Sequence, residues 1–289
     1  LGSLLYDQSK YDEAMPFWVE ALETSRRVLG DEHPETLLLI GNMGNLLCAQ
    51  RKYDEAMPYC VEALETKRRV LGNDHSDTLS SIGNMAGILN AQGKYDEAMP
   101  YCVEALEAKR RELGDTHPNT LNSIGNMGSL LYAQGKYDEA MPYYVEALEG
   151  RRRELGDEHP GTLNSIRNMG SLLRAQGKYD EAMPYYEEAL NTRRRELGDE
   201  DLDTLISIGD MGSLLRAQGK YDEAMPYSVE ALEATRRIQG DTHPDTLWSI
   251  RSLIKLYDAW DKPEEAQQYR DMLEAIEAEM ANSDKTAAP

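Results

Sequence analysis

The chain reads as an all-α solenoid, and three observations predict it. The heptapeptide Lys-Tyr-Asp-Glu-Ala-Met-Pro starts at Lys10, Lys52, Lys94, Lys136, Lys178 and Lys220, always 42 residues apart. A worn seventh copy, Lys262-Pro263-Glu264-Glu265-Ala266, keeps the same beat, and no insertion breaks the register. Within each period apolar residues recur in two runs at helical spacing. A fixed period of this size marks stacked supersecondary units that share one continuous core. The expected architecture is a right-handed superhelix of antiparallel helix pairs with about six to seven repeats. A single array would cover residues 1–281. It comprises a partial repeat at 1–35, full repeats at 36–77, 78–119, 120–161, 162–203 and 204–245, and a divergent capping repeat at 246–281, followed by a disordered tail at 282–289.

The interval Thr120–Gly161 shows why each element forms. Ile124, Met127, Gly128, Leu130 and Leu131 give Leu121–Gln134 one apolar face, helix A, with Thr120 as its expected N-cap. Gly135-Lys136 makes a short turn in which Gly takes a positive φ. Helix B opens at Asp138 and Glu139, acids suited to a positive helix N-terminus. With Asp138 as N-cap, Pro142 forfeits only the first intrahelical bond. Ala140, Tyr144, Ala147 and Leu148 form the inward stripe, and Arg151-Arg152-Arg153 suit the C-terminal dipole. Gly156 stops helix B, and His159-Pro160 leads into the next helix A, with Thr162 as its cap. In the last unit Tyr257, Trp260 and the charged helix Glu264–Met280 should close the array with a polar face.

Composition narrows the function. Fifty-two acidic against 31 basic residues give a net charge of −21, which argues against nucleic acid and against an anionic membrane surface. Three cysteines form no disulfide framework and point to a reducing, cytoplasmic setting. No apolar run is long enough to span a bilayer. The chain opens at Leu1, partway through a repeat, as expected of a segment of a longer protein. Leu1, Leu4 and Leu5 would leave apolar surface there, and this is the expected route to self-association.

The columns resemble the tetratricopeptide repeat. Ile124-x2-Met127-Gly128-x2-Leu131 matches its W-x2-L-G-x2-Y segment, with Ile in place of the aromatic, and Ala140-x3-Tyr144 matches A-x3-F. The 42-residue period, Gly-Lys-Tyr-Asp-Glu-Ala, the Pro two residues on, Ala-Leu-Glu followed by basic residues, Leu-Gly-Asp-x-His-Pro-x-Thr, and an Asn in the middle of helix A are similar to the kinesin light chain type of repeat. The likeness covers residues 1 to about 280. It implies a protein-interaction scaffold whose concave, A-helix face holds an extended peptide, with no cofactor and no catalysis. Long repeats of this type also occur in sensor arrays behind signalling ATPases, where the groove would be filled in cis. Upstream sequence separates these readings: a heptad coiled coil favours the adaptor and a phosphate-loop ATPase favours the sensor.

The resemblance places Asn42, Asn84, Asn126 and Asn168, continued by Asp210 and Ser252, in a ladder that hydrogen-bonds a peptide backbone. A carboxamide offers donors and an acceptor together, so it pairs with a main chain without reading sequence. The competing reading is that near-identical repeats copied an Asn that only packs locally. Flanking columns vary between repeats. One runs Tyr6, Cys48, Asn90, Tyr132, Arg174, Arg216, Asp258, and another runs Gly41, Gly83, Gly125, Arg167, Gly209, Arg251. Asn90, Tyr132, Arg167, Arg174, Arg216 and Arg251 are therefore candidate contacts. The arginines would take acidic segments, and Tyr132 with the glycines would form an apolar pocket. Against this, the arginines could pair with local Glu and Asp. Gly128 is read as enabling close helix approach, and Gly125 as widening the groove floor.

Two repeated features look chemical but read as structural. His33, His75, His117, His159 and His243 sit one repeat apart in separate loops, too far to share a metal, and Asp201 fills the remaining slot. The Arg runs, flanked by Glu149 and Glu154 at Arg151–Arg153, read as helix-surface ion pairs. No phosphate loop, metal-ligand spacing or nucleophile elbow is present, so an enzyme is not expected.

Overall fold

A computed structural model describes residues 2–8 and 10–286 and is all-helical over the described residues. A short α1 (Gly2–Asp7) precedes the repeats. Six B helices, each opened by Tyr, follow at the 42-residue interval: α2 (Tyr11–Leu29), α4 (Tyr53–Leu71), α6 (Tyr95–Leu113), α8 (Tyr137–Leu155), α10 (Tyr179–Leu197) and α12 (Tyr221–Gln239). The A helices alternate with them: α3 (Pro34–Ala49), α5 (Ser76–Ala91), α7 (Pro118–Ala133), α9 (Pro160–Ala175), α11 (Leu202–Ala217) and α13 (Pro244–Ala259), closed by α14 (Pro263–Thr286). The chain forms two compact units, Leu1–Gly150 and Arg151–Pro289.

Inside each unit, helices pack on their sequence neighbours, and A helices also touch the next A helix (α3 on α5 and α5 on α7 in the first unit, α11 on α13 in the second). The core is two columns of side chains. Ile40, Ile82, Ile124, Ile166, Ile208 and Ile250 are all 0% exposed, so the isoleucine that replaces the aromatic of the repeat pattern is the innermost residue of every helix A. The Ala of each heptapeptide, including Ala266 of the worn copy, is equally buried. Complete burial of an Ile contributes about 1.5–3 kcal/mol, so each member of this column adds appreciably to the core.

Helix starts differ from the sequence reading in two ways. Thr120 and Thr162 are not caps: they lie inside α7 and α9 and are 0% exposed. The caps are the histidines. His117 Nδ1 accepts from Asn119 N at 3.1 Å and His159 Nδ1 from Gly161 N at 3.0 Å, with Pro at the first helical position. His33, His75 and His243 do the same, and Asp201 replaces imidazole with carboxylate, accepting from Asp203 N at 2.9 Å. The loop histidines thus satisfy one orphan amide per helix A. Helix B starts at Tyr137, one residue before Asp138, with Ala140 N bonded to Lys136 O at 3.0 Å. Pro142 is therefore the sixth helical residue. Its missing N–H costs a bond within the first turns, where the side chains of Asp138 and Glu139 still favour the helix dipole.

Turns follow the expected chemistry. Gly93, Gly135, Gly177 and Gly219 take φ of 73–76° between helix A and helix B. Arg51 and Asp261 occupy the equivalent positions at φ 60° and 56°, a left-handed conformation that costs a non-Gly residue about 1–2 kcal/mol. At the C-terminal end, Tyr257 stacks with Trp260 and with Tyr269, joining α13 to α14, and Ala266 and Ile276 bury the inner face of α14. The tail expected at 282–289 is corrected over its first five residues. Asn282–Thr286 continue α14, because neither Gly nor Pro interrupts the run after Pro263 until Pro289. Residues 287–289 lie outside the described residues.

Candidate peptide-binding face

The amide column lies on the surface of the A helices, not in the core. Asn84 and Asn126 are exposed, and Asn42 and Asn168 are half-buried. In the first unit Asn84 Nδ2 donates to Asn45 Oδ1 at 3.1 Å, linking α5 to α3. In the second unit Asp210 takes the column's place on α11 and is bonded through Oδ2 to Arg167 Nε on α9. Burial opposes the charge on Arg167, yet the Asp210 carboxylate raises its pKa above the ordinary guanidinium value.

This pairing divides the candidate arginines. Arg167 is occupied by Asp210, and Arg251 by Glu277 at 2.8 Å, so the local-pairing reading holds for both. Burial raises the pKa of Tyr186 and the nearby Arg174 charge opposes that rise, and the Tyr186 hydroxyl lies 3.0 Å from Ser171 Oγ. Among the described residues Arg216 has no acidic partner within ion-pair distance. Tyr132 packs on Tyr137 with ring centroids 5.4 Å apart, and Asn90 is half-buried at the equivalent position one repeat earlier.

In most repeats a glycine one turn before the variable residue sets how helices A and B meet. A Cβ on Gly128 would stand 2.7 Å from Tyr144 Cδ1, one on Gly170 3.2 Å from Tyr186, and one on Gly44 2.6 Å from Cys60 Sγ. The close-approach reading of Gly128 therefore holds. Gly125 is buried.

Sequence reasoning treated each basic triplet as one surface feature, but its three members face three ways. The middle arginine pairs forward with a glutamate of the next helix B. Arg68–Glu104 and Arg110–Glu146 do so at 2.6 Å in the first unit, and Arg152–Glu188 does so at 2.6 Å in the second. The last arginine pairs back to a loop acid, Arg69 with Glu32 and Arg195 with Glu158. These half-exposed pairs contribute about 0–1 kcal/mol each. The first member turns inward. Lys67 Nζ donates to Ser81 Oγ and Lys109 Nζ to Ser123 Oγ, both at 3.0 Å, and Arg193 bridges Asn164 and Ser207 at 2.6 and 2.7 Å.

Arg193 is 1% exposed and makes three hydrogen bonds, the third to Asp203 O. Lys67 and Lys109 each have one serine partner: among the described residues neither has a carboxylate within ion-pair distance, and burial lowers both below the ordinary lysine value. Ser81 and Asn84 stand one turn apart on α5, and Ser123 and Asn126 one turn apart on α7. Each ammonium therefore lies beside the amide column. The signal was legible in spacing: Lys67 follows Ala63 by four residues and Leu64 by three, which continues the buried stripe.

The second unit also holds a cavity of about 280 Å³ lined by Leu202, Leu205, Ile206, Trp248 and the Arg167–Asp210 pair. Trp248, 49% exposed, lies over Gly209, where a Cβ would come within 3.0 Å of the indole. The sequence reading placed an apolar pocket at Tyr132 and missed Ile206 and Trp248. Their column is apolar at Leu38, polar in the middle repeats (Ser80, Asn122, Asn164) and apolar again here. At the other end, Leu4 is 56% exposed and Leu5 half-buried, while Leu1 lies outside the described residues.

Two models of the tetratricopeptide repeat match the chain, one over residues 1–35 and 36–77 and the other over 77–153, 123–195, 165–228 and 202–270. No curated protein sequence is significantly similar to it. Similar solved structures include BtubC (BKLC) from P. vanneervenii, at 21% identity over 79% of this chain and 92% of that one, with a TM-score of 0.67. A putative kinesin light chain from Podosopora anserina with nearly identical TPR-like repeats is 23% identical over 71% of this chain and 98% of that one, with a TM-score of 0.61. NprR in complex with its cognate peptide NprX is 18% identical over 100% of this chain and 81% of that one, with a TM-score of 0.62. The unbroken 42-residue hairpins, their small-residue seams and these matches agree: the chain belongs to the tetratricopeptide repeat family.

Proposed function

We propose that this protein is a non-catalytic interaction scaffold that binds an extended, acidic peptide segment along the A helices of its first unit. One arrangement carries the reading. Exposed Asn84 and Asn126 stand one helical turn from Ser81 and Ser123, the single hydrogen-bond partners of Lys67 and Lys109. The amides serve a peptide backbone in either register. The ammoniums offer unfilled donors to carboxylates at the spacing of one repeat, in a molecule whose other surface is strongly acidic. A peptide in the structurally similar NprR complex supports the fold's capacity for such a ligand.

In the second unit the acidic-ligand role falls to Arg216 and Arg174, since Arg167 and Arg251 are internally paired. The cavity at Ile206 and Trp248 would take an apolar side chain. Affinity in the micromolar range is expected for an extended segment that engages several repeats.

A peptide array of acidic, basic and neutral extended sequences tests the reading. Acidic sequences should be retained, and retention should fall steeply between about 50 and 200 mM salt, as the Debye length shortens. Equal retention of all three charge classes would refute the lysines' role. Retention of acidic peptides by a Lys67→Met, Lys109→Met variant would do the same.

A further inference from the structure

The variable residue on helix A and the residue twelve positions later on helix B lie next to each other in two repeats. Tyr6 and Trp18 stack with ring centroids 5.3 Å apart, and Arg174 is close enough to Tyr186 for its charge to oppose the rise in pKa that burial causes. In another repeat both positions are cysteine, Cys48 on α3 and Cys60 on α4. Gly44 lies one turn before Cys48 on the same face, and it leaves so little room that its Cβ would fall 2.6 Å from Cys60 Sγ. The missing side chain lets α4 approach α3 closely, and both thiols pack into one cluster with Leu47, Ala56 and Leu64.

We propose that Cys48 and Cys60 form a thiol–disulfide exchange site that takes a low-molecular-weight disulfide of the glutathione or cystine class and closes into a bond between α3 and α4. The inference is independent of the peptide-binding reading. The two sulfurs have different roles. Cys48 is half-buried and reachable, whereas Cys60 is 4% exposed. The neighbouring Cys60 thiol holds the Cys48 pKa below the ordinary thiol value, while Cys48 and burial push Cys60 up. Cys48, as thiolate, attacks one sulfur of the small disulfide. That S–S bond breaks, and one small thiol leaves with the proton Cys48 gave up. Cys60 then attacks the Cys48 sulfur, the mixed disulfide breaks, and the second small thiol leaves with the Cys60 proton. The protein pair loses two electrons and the reagent gains them.

Cys102 supplies the internal control. It is buried in the same column as Cys60, but its partner position is Asn90, so it has no second thiol to close on. Incubation of the native chain with oxidised glutathione, followed by non-reducing peptide mapping, tests the site. Two of the three thiols should be lost, in one peptide pair joining Cys48 to Cys60, and Cys102→Ser should behave as the parent. Cys60→Ser, a residue tolerated in this column as Ser228, should stop at a glutathione adduct on Cys48. A stable adduct on Cys48 of the unmutated chain would overturn the proposal. So would a linkage through Cys102, or thiol loss only after denaturant is added.

Discussion

Gly128 and Tyr144 compete for the same space: a Cβ on the glycine would lie 2.7 Å from the ring's Cδ1. The pair is one of a matched series along the hairpins. Gly170 faces Tyr186, and Ala86 takes the glycine's place where Cys102 takes the tyrosine's. In these repeats the glycine leaves room for the ring, and where the ring is replaced by Cys102 an alanine fits.

That relationship sets the first expectation. Gly128→Ala should destabilise the protein by about 1–3 kcal/mol through overpacking, despite alanine's better helix propensity. Adding Tyr144→Cys, which recreates the Ala86–Cys102 pair, should give a favourable coupling of about 1 kcal/mol or more in a double-mutant cycle read by urea unfolding. Simply additive losses would show that the two residues do not share the space.

Arg51 should be improvable. It holds φ 60° where most repeats place Gly. Arg51→Gly should raise stability by about 1 kcal/mol, and Gly135→Arg should lower it by a similar amount. Thermal unfolding of the two variants against the parent measures both.

Histidine capping predicts a chemical exchange between repeats. His117→Ala should cost about 1 kcal/mol, whereas His117→Asp should stay within about 0.5 kcal/mol, because Asp201 already performs this task at the start of α11. Equal losses for both substitutions, measured by urea unfolding, would mean that imidazole does more than accept the Asn119 amide.

Lys109 should trade stability for binding. Lys109→Met removes a half-buried charge with no carboxylate partner, and should stabilise by about 1–3 kcal/mol while weakening acidic-peptide affinity. The pH dependence has a definite sign. Burial holds the folded pKa below the unfolded one, so the unfolded chain binds more protons in the window between them. The unmutated protein should therefore close the gap on the methionine variant as pH rises through that window, a trend followed by urea unfolding at several alkaline pH values.

The repeat register was legible because a 42-residue period leaves no freedom in where helices fall: Ile124 and Ala140 announce the two inward faces directly. The caps were less legible. Thr120 has a cap's chemistry, but it lies three residues past the true start, where its side chain is enclosed. His117 has an acceptor nitrogen that sequence habits assign to metals or proton transfer. The candidate site was half legible. The amide column stands out by its repetition, yet Arg167 and Arg251 were read without their partners, which lie 43 and 26 residues away. Lys109 was hidden in a basic triplet. Neighbours on a helix point about 100° apart, so three adjacent cations cannot share one role.

The most direct measurement is the affinity of one selected acidic peptide for the parent chain and for an Asn84→Ala, Asn126→Ala variant, by fluorescence anisotropy at fixed salt. Two lost backbone hydrogen bonds, at about 0.5–1.5 kcal/mol each, should weaken binding by roughly 5- to 150-fold with the helical content unchanged. Identical dissociation constants for the two proteins would show that these amides do not grip a peptide.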